Sequence, residues 1–170
     1  ADVKIIHLNS YSDSRGMFVE TFDTRVIRNL GLENTFVQDA TSVSATKGTF
    51  RGLHFQKPPH AQTTFVRVVR GSIFDVTVDI RAGSPTFGQH VSVILNAEDW
   101  RVLYLPKGHA HGFCTLVDDC HVAYKLGDHY APDKAGGIQL DDADLGIDWP
   151  LDPAQGIISD KDRANPCLRD

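Results

Sequence analysis

The stretch TTFVRVVRGSIFDVTVDI, residues 63–80, holds two runs of β-branched and aromatic residues parted by Arg-Gly-Ser. Short apolar or alternating runs of this kind, broken by turn-forming residues, read as strands. The pattern repeats outward in HVSVILN (90–96), RVLYLP (101–106) and HVAYKL (121–126). The separators are RAGSPTFG (81–88), NAED (96–99), PKGHAHG (106–112) and VDD (117–119). Turn signals about every ten residues from Phe36 to Tyr130 predict an all-β fold, a jelly-roll barrel of about ten strands with few helices. Such barrels hold ligands in the mouth, where inward side chains converge.

One helix is expected, in DTRVIRNLGL (23–32), where Val26, Ile27 and Leu30 fall at helical spacing and Gly31 suits a C-terminal stop. Beyond Tyr130 the chain is rich in Asp, Gly and Pro, which predicts a looped tail with short helical turns folded onto the barrel. Within it, Trp149 is expected to serve packing, and SPTFG (84–88) to be a turn. Gly108 and Gly112 are expected to let the backbone turn sharply beside the pocket. Arg67, Arg70 and Arg81 are expected on strand exteriors or turns.

At 170 residues the chain suits one domain, 1–170, with a core large enough to need no staples. A net charge of −5 argues against nucleic acid as partner, because that work calls for a basic face. Charges interrupt every apolar window, so neither a membrane span nor a leader peptide is expected. Cys114, Cys120 and Cys167 are odd in number and form no C-x-x-C, which favours buried, reduced thiols and the cytoplasm.

The histidines of RGLHFQ (51–56) and PKGHAHGF (106–113) raise three readings: metal ligands, proton carriers or core residues. Pro106, Gly108 and His111 satisfy the P-x-G-x-x-H motif of metal-binding cupins. The companion motif is missing, since His54 and His60 stand six apart and no Glu occurs between Glu33 and Glu98. Half a ligand set argues against a metal. Proton transfer instead needs a base, a group that orients it and a second donor. His54 on its strand is either that base or a satisfied core histidine.

Eight segments add a resemblance: DSRGMFVETF (13–22), FVQD (36–39), RGLHFQ (51–56), RVVRGSIFDVTVDIRAGSPTFG (67–88), LYLPKGHAHGF (103–113), YKLGDHYAP (124–132), DLGIDWP (144–150) and ISDKD (158–162). In register over most of the chain, they resemble the RmlC family, the dTDP-4-dehydrorhamnose 3,5-epimerases. The resemblance implies a cupin-type jelly-roll and an enzyme that inverts C3 and C5 of a dTDP-4-keto-6-deoxyhexose in deoxysugar biosynthesis, with neither cofactor nor metal. It makes His54 the base, Asp162 its orienting carboxylate and Tyr124 the proton donor on the opposite face of the sugar. It assigns Arg15 and Arg51 to the diphosphate, Phe18 and Glu20 to the nucleotide end, and Gln38, His111 and Tyr130 to further ligand contacts. It also implies a homodimer that exchanges N-terminal strands, setting residues of the first forty positions against the neighbour's pocket.

Three positions depart from the family pattern. Thr64 stands where A-Q-x-K has its lysine, His109 where a phenylalanine is usual, and His129 where an aromatic residue is common. A hydroxyl brings no charge to the enolate oxygen that the lysine would stabilise. Either His109 or His111 takes over part of that work, or the substitutions mark another 4-keto sugar or epimerisation at C3 alone. A related ketoisomerase, a silent sugar-nucleotide-binding cupin and a metal-dependent oxygenase stand as further alternatives.

Overall fold

The computed structural model describes residues 3–33 and 35–170. Eight strands lie in the region where alternation was visible: β4 (Gln38–Ser44), β5 (Phe50–Gln56), β6 (Thr64–Arg70), β7 (Ser72–Asp79), β8 (His90–Asn96), β9 (Arg101–Leu105), β10 (His109–Thr115) and β11 (Cys120–Leu126). Four more, β1 (Lys4–His7), β2 (Ser10–Asp13), β3 (Gly16–Val19) and β12 (Ala135–Gly137), bring the described total to twelve rather than ten. With three or four residues each, they are too short for a period of two to show in sequence. Two five-stranded sheets result, in the orders β1-β9-β6-β11-β4 and β12-β5-β10-β7-β8, with β2 and β3 forming a separate hairpin. The sheets face each other as an open sandwich of jelly-roll type and are not hydrogen-bonded into a closed barrel.

The inner face has two characters. At one end, Val66, Val68, Leu103, Leu105, Cys120 and Val122 of the first sheet pack against Ile73, Leu95 and Phe113 of the second. Moving along the same inward faces, β7 continues from Ile73 to Asp75, Thr77 and Asp79, and β10 runs from Phe113 back to His111 and His109. On the first sheet β6 reaches Thr64 and β11 reaches Tyr124. The apolar end closes the sandwich, and the polar end remains a cavity.

The outer faces are covered by the flanking segments. Helix α1 (Thr24–Asn29) starts at Asp23, whose carboxylate accepts the Arg25 N–H, and buries Ile27 against Phe65, Val102 and Tyr104. The expected helix is therefore present, trimmed at both ends. Beyond β12 the tail lays Ile138, Leu140 and Leu145 over Leu53, Val76 and Val78. Trp149 meets Phe50 and Phe74 edge-on at 5.3 and 5.7 Å, and its indole N–H donates to the Leu140 carbonyl at 2.8 Å. Arg70 pairs with Asp119 on the surface, whereas Arg67, though on the outer face, is half-buried.

The strand that carries RGLHFQ is irregular. Opposite β10, His54 aligns with His111 but Arg51 aligns with Phe113, so three steps on β5 match two on β10. In a regular strand residues three apart face opposite sides. The bulge cancels that inversion: Leu53 turns outward into the core beneath the tail, while Arg51 and His54 both face the cavity. Gly52 absorbs the extra residue at φ +112°, a conformation that side chains rarely adopt. Gly112 serves differently from the turn expected of it. It lies within β10, where a Cβ would come 2.6 Å from the Arg51 carbonyl, so its absence lets the two strands approach. Gly108, at φ +80°, does make the expected turn.

A Cβ at Gly52 would stand 2.6 Å from the His111 carbonyl oxygen and 2.7 Å from Gly112 Cα, both rigid backbone atoms. Gly52→Ala is expected to lose about 2 kcal/mol or more of stability from strain and overpacking together. Urea unfolding checks this as a lowered midpoint at unchanged slope.

Candidate active site

The polar end of the sandwich encloses a cavity of about 730 Å³. His54 enters from β5 with its side chain half exposed, and Asp162, only 6% exposed, sits behind it. The Nε2–H of His54 donates to Asp162 Oδ1 at 2.6 Å, while Oδ2 accepts the Gly52 N–H at 3.3 Å. Helix α2 (Asp160–Arg163) carries Asp162, and Ser159 caps it by accepting the Asp162 N–H at 3.1 Å. Burial pushes the Asp162 carboxyl upward, but the His54 bond and charge, the Gly52 N–H and the Ser159 hydroxyl outweigh it and hold the carboxyl below its ordinary value. With Nε2 committed to the carboxylate, the neutral imidazole keeps its lone pair on Nδ1, the nitrogen left free for a proton.

Tyr124 lines the cavity from β11, on the facing sheet. Its hydroxyl shares a 3.1 Å hydrogen bond with Ser42 Oγ. Burial pushes the phenol up to about 12, with Asp75 adding to the rise and Ser42 and Arg51 opposing it. The site thus holds a carboxylate-braced imidazole on one sheet and a phenol that keeps its proton on the other.

A second His–Asp pair lies beside the first. His111 Nε2 is 2.7 Å from Asp75 Oδ2, with the carboxylate fully buried and the imidazole 15% exposed. The His111 ring meets Tyr124 edge-on at 6.4 Å. The other oxygen, Asp75 Oδ1, is buried without a hydrogen-bond partner among the described residues. Sequence reasoning missed Asp75, although its signal was present: an acid at an inward position of SIFDVTVDI. Ser42 and Lys161, which also line the cavity, were missed as well.

Of the remaining expected residues, Arg51, Thr64, His109, His111 and Tyr130 line the cavity. Arg51 is oriented by the Ser44 hydroxyl at 3.1 Å and the Val43 carbonyl at 3.0 Å. Gln38 stands at the rim, where its Oε1 accepts the Tyr130 N–H at 3.1 Å. His129 presents its carbonyl to Gln56 rather than its ring to the cavity. Arg15, Phe18 and Glu20, expected against a neighbour's pocket, do not line this chain's own cavity. Arg15 is 88% exposed and pairs with Asp13, and Phe18 is exposed against Tyr11. Among the described strands β2 and β3 pair only with each other, as a hairpin separate from the two large sheets.

SPTFG closes a loop around Asp79, which accepts from the Arg81 backbone and guanidinium, Ser84 and Thr86 at 2.6–3.0 Å. Those bonds, Arg81 foremost, hold Asp79 well below the usual carboxylate range. Cys114 and Cys120 are buried and Cys167 is partly so, all three as free thiols, and burial lifts Cys114 to about 11. No described helix is long and apolar enough to cross a membrane.

A family model described as dTDP-4-dehydrorhamnose 3,5-epimerase matches residues 1–170. A relative of that name from Methanothermobacter thermautotrophicus is 47% identical over 167 residues, covering 98% of this chain and 89% of the relative. The crystal structure of the Bacillus anthracis dTDP-4-dehydrorhamnose 3,5-epimerase, with TDP and pyrophosphate bound, superposes with TM-score 0.95 at 46% identity, covering 98% of this chain and 94% of the other. That of the Legionella pneumophila RmlC, in complex with dTDP-4-keto-L-rhamnose, gives 0.92 at 46% identity, covering 98% and 88%.

The raised phenol has a sign that can be checked. A folded-state value above the unfolded one stabilises the fold fully below pH 10, and that contribution fades as pH climbs from about 10 to about 12. Ultraviolet titration of the parent minus Tyr124→Phe should show one tyrosine ionising near 12. A difference curve centred at 10 would contradict the burial of this hydroxyl.

Proposed function

We propose, from the premise that the chain belongs to the dTDP-4-dehydrorhamnose 3,5-epimerase family, that it inverts C3 and C5 of a dTDP-4-keto-6-deoxyhexose by proton transfer beside the C4 ketone. The observation that carries this reading is the pairing of His54 with Asp162 on one sheet and the protonated Tyr124 on the facing sheet of one cavity. Inversion requires removal of a proton from one face and its return to the other, so base and acid must flank the ring.

The ketone makes the neighbouring C–H bonds acidic, because the electron pair left behind delocalises onto the C4 oxygen as an enolate. His54 Nδ1 takes the proton, and Asp162 stabilises the imidazolium that forms while fixing its orientation. Tyr124 then gives its hydroxyl proton to the same carbon from the opposite side, the enolate collapses to the ketone, and the configuration is inverted. Bulk water resets both groups. Arg51 supplies a cation to the diphosphate, and Tyr130 an aromatic surface at the cavity mouth.

The N-terminal hairpin supports a homodimer in which Arg15, Phe18 and Glu20 complete the neighbouring cavity. Exposed Tyr11, Met17 and Phe18 on a ribbon detached from its own sandwich need a covering surface. Free thiols support a reducing compartment, and with it the cytoplasm.

Thr64 favours a second reading, epimerisation at C3 alone. It meets the cavity beside Leu105 and contributes no charge to an enolate oxygen. Incubation of dTDP-4-keto-6-deoxyglucose with the protein in deuterated water separates the readings by proton NMR: deuterium at C3 and C5 supports the first, deuterium at C3 alone the second, and none at either refutes both. His54→Asn and Tyr124→Phe should each slow turnover roughly 100- to 10,000-fold. Light scattering should return the mass of two chains, and a one-chain mass would remove the hairpin's proposed role.

A further inference from the structure

The proton-transfer scheme leaves two cavity histidines unused, His111, which is paired with Asp75, and His109. His109 begins β10, lines the cavity with His54, Thr64 and Tyr124, and leaves the same face of its strand as His111, about 7 Å along it. Its surroundings differ from those of the other two imidazoles. His54 and His111 each face a buried carboxylate, whereas His109 Nδ1 lies 3.2 Å from the Pro106 carbonyl. A carbonyl only accepts, so Nδ1 carries the hydrogen and the neutral ring keeps its lone pair on Nε2.

The charged groups facing His109 are Asp79, its register partner on β7, and Arg81 from the following loop. Asp79 is already saturated by Arg81, Ser84 and Thr86, so no carboxylate is free to bond the His109 ring. Burial lowers the His109 pKa, and Arg81 acts with it, against Asp79 and the carbonyls of Pro106 and Lys107. The result is a neutral acceptor held in place by its own turn. An acceptor repels an enolate oxygen, so His109 is unsuited to replace a missing lysine. It suits a donor hydrogen on the substrate.

We infer that His109 is a specificity-determining residue whose Nε2 accepts a hydrogen bond from the C2 hydroxyl of the bound hexose. The inference rests on the epimerase reading above. A 4-keto-6-deoxyhexose offers two ring hydroxyls, at C2 and C3. The C3 hydroxyl changes face when its carbon inverts, so a pinned acceptor would hold only one epimer. The C2 hydroxyl keeps its configuration throughout, and a fixed lone pair there holds the ring in both states.

The test compares dTDP-4-keto-6-deoxyglucose with its 2-deoxy counterpart in two measurements: deuterium exchange in the parent protein, and calorimetric affinity in a His54→Asn background where turnover is suppressed. With His109 present, the 2-deoxy ligand should bind on the order of tenfold more weakly, as loss of one buried hydrogen bond requires. With His109→Phe the two ligands should bind equally, and His109→Gln, which retains an acceptor oxygen, should keep part of the difference. His109→Leu reads the same contrast without added volume if phenylalanine does not fit. Equal discrimination with and without His109, or none in its presence, overturns the inference. Absent exchange with discrimination intact would instead overturn the epimerase reading and leave this contact standing.

Discussion

A single 2.6 Å hydrogen bond, from His54 to Asp162 across 108 positions of chain, ties the two halves of the site together. It requires several local features at once. The bulge at Gly52 turns His54 inward and also frees the Gly52 N–H for the second carboxylate oxygen. The tail must return to the same place, which it does through a parallel bridge between Thr49 and Ile157 and hydrogen bonds of 2.9 Å linking Phe50 to Ile157 and Ile157 to Gly48. Two residues later Ser159 starts the short helix that presents Asp162. The C-terminal segment is thus both a cover for the outer core and the carrier of the carboxylate that braces His54, and packing of Trp149 indirectly places that carboxylate.

The location of the cavity follows from where the inward faces change character. Each of β6, β7, β10 and β11 is apolar at one end of the sandwich and polar at the other, and the register aligns these changes. At the apolar end the sheets are sealed by Phe113, Leu95 and Val66. At the polar end, side chains with hydrogen-bonding work to do keep the sheets apart. Burial of Asp75 and Thr77 without full satisfaction, on the order of 1–3 kcal/mol for each unmade bond, marks this end as kept for chemistry rather than stability.

Much of this was legible in the sequence. The strands of 38–126 announce themselves by length and turn spacing, and α1 by its period and stop residue. What alternation alone misjudges is the facing of RGLHFQ, since Arg51 and His54 are three apart and only the bulge puts them on one side. Asp162 carries no local signal among many acids near the end of the chain, and its assignment came from resemblance to a family. Asp75 shows the opposite case, with a local signal, an acid inside an apolar strand, that went unread. Arg15, Phe18 and Glu20 sit in a family motif, yet one chain's contacts leave them outside the cavity. A motif records what a residue meets in the assembled protein, while intrachain packing records only part of it.

The proposed base and acid come from different sheets, which makes the distance between them a property of the core. His54 belongs to the sheet of β5 and β10, Tyr124 to that of β6 and β11, and what separates those sheets is the thickness of the apolar layer beyond the cavity. Phe113 links the two regions, because it is fully buried in that layer and its ring centre lies 6.4 Å from that of His111. Close-packed interiors resist compression and cannot adjust by fractions of an ångström without strain. The spacing of the two groups is therefore set by the apolar layer, whose Phe113 and Leu105 also reach the cavity wall, and the apolar halves of the strands position the chemistry proposed for the polar halves.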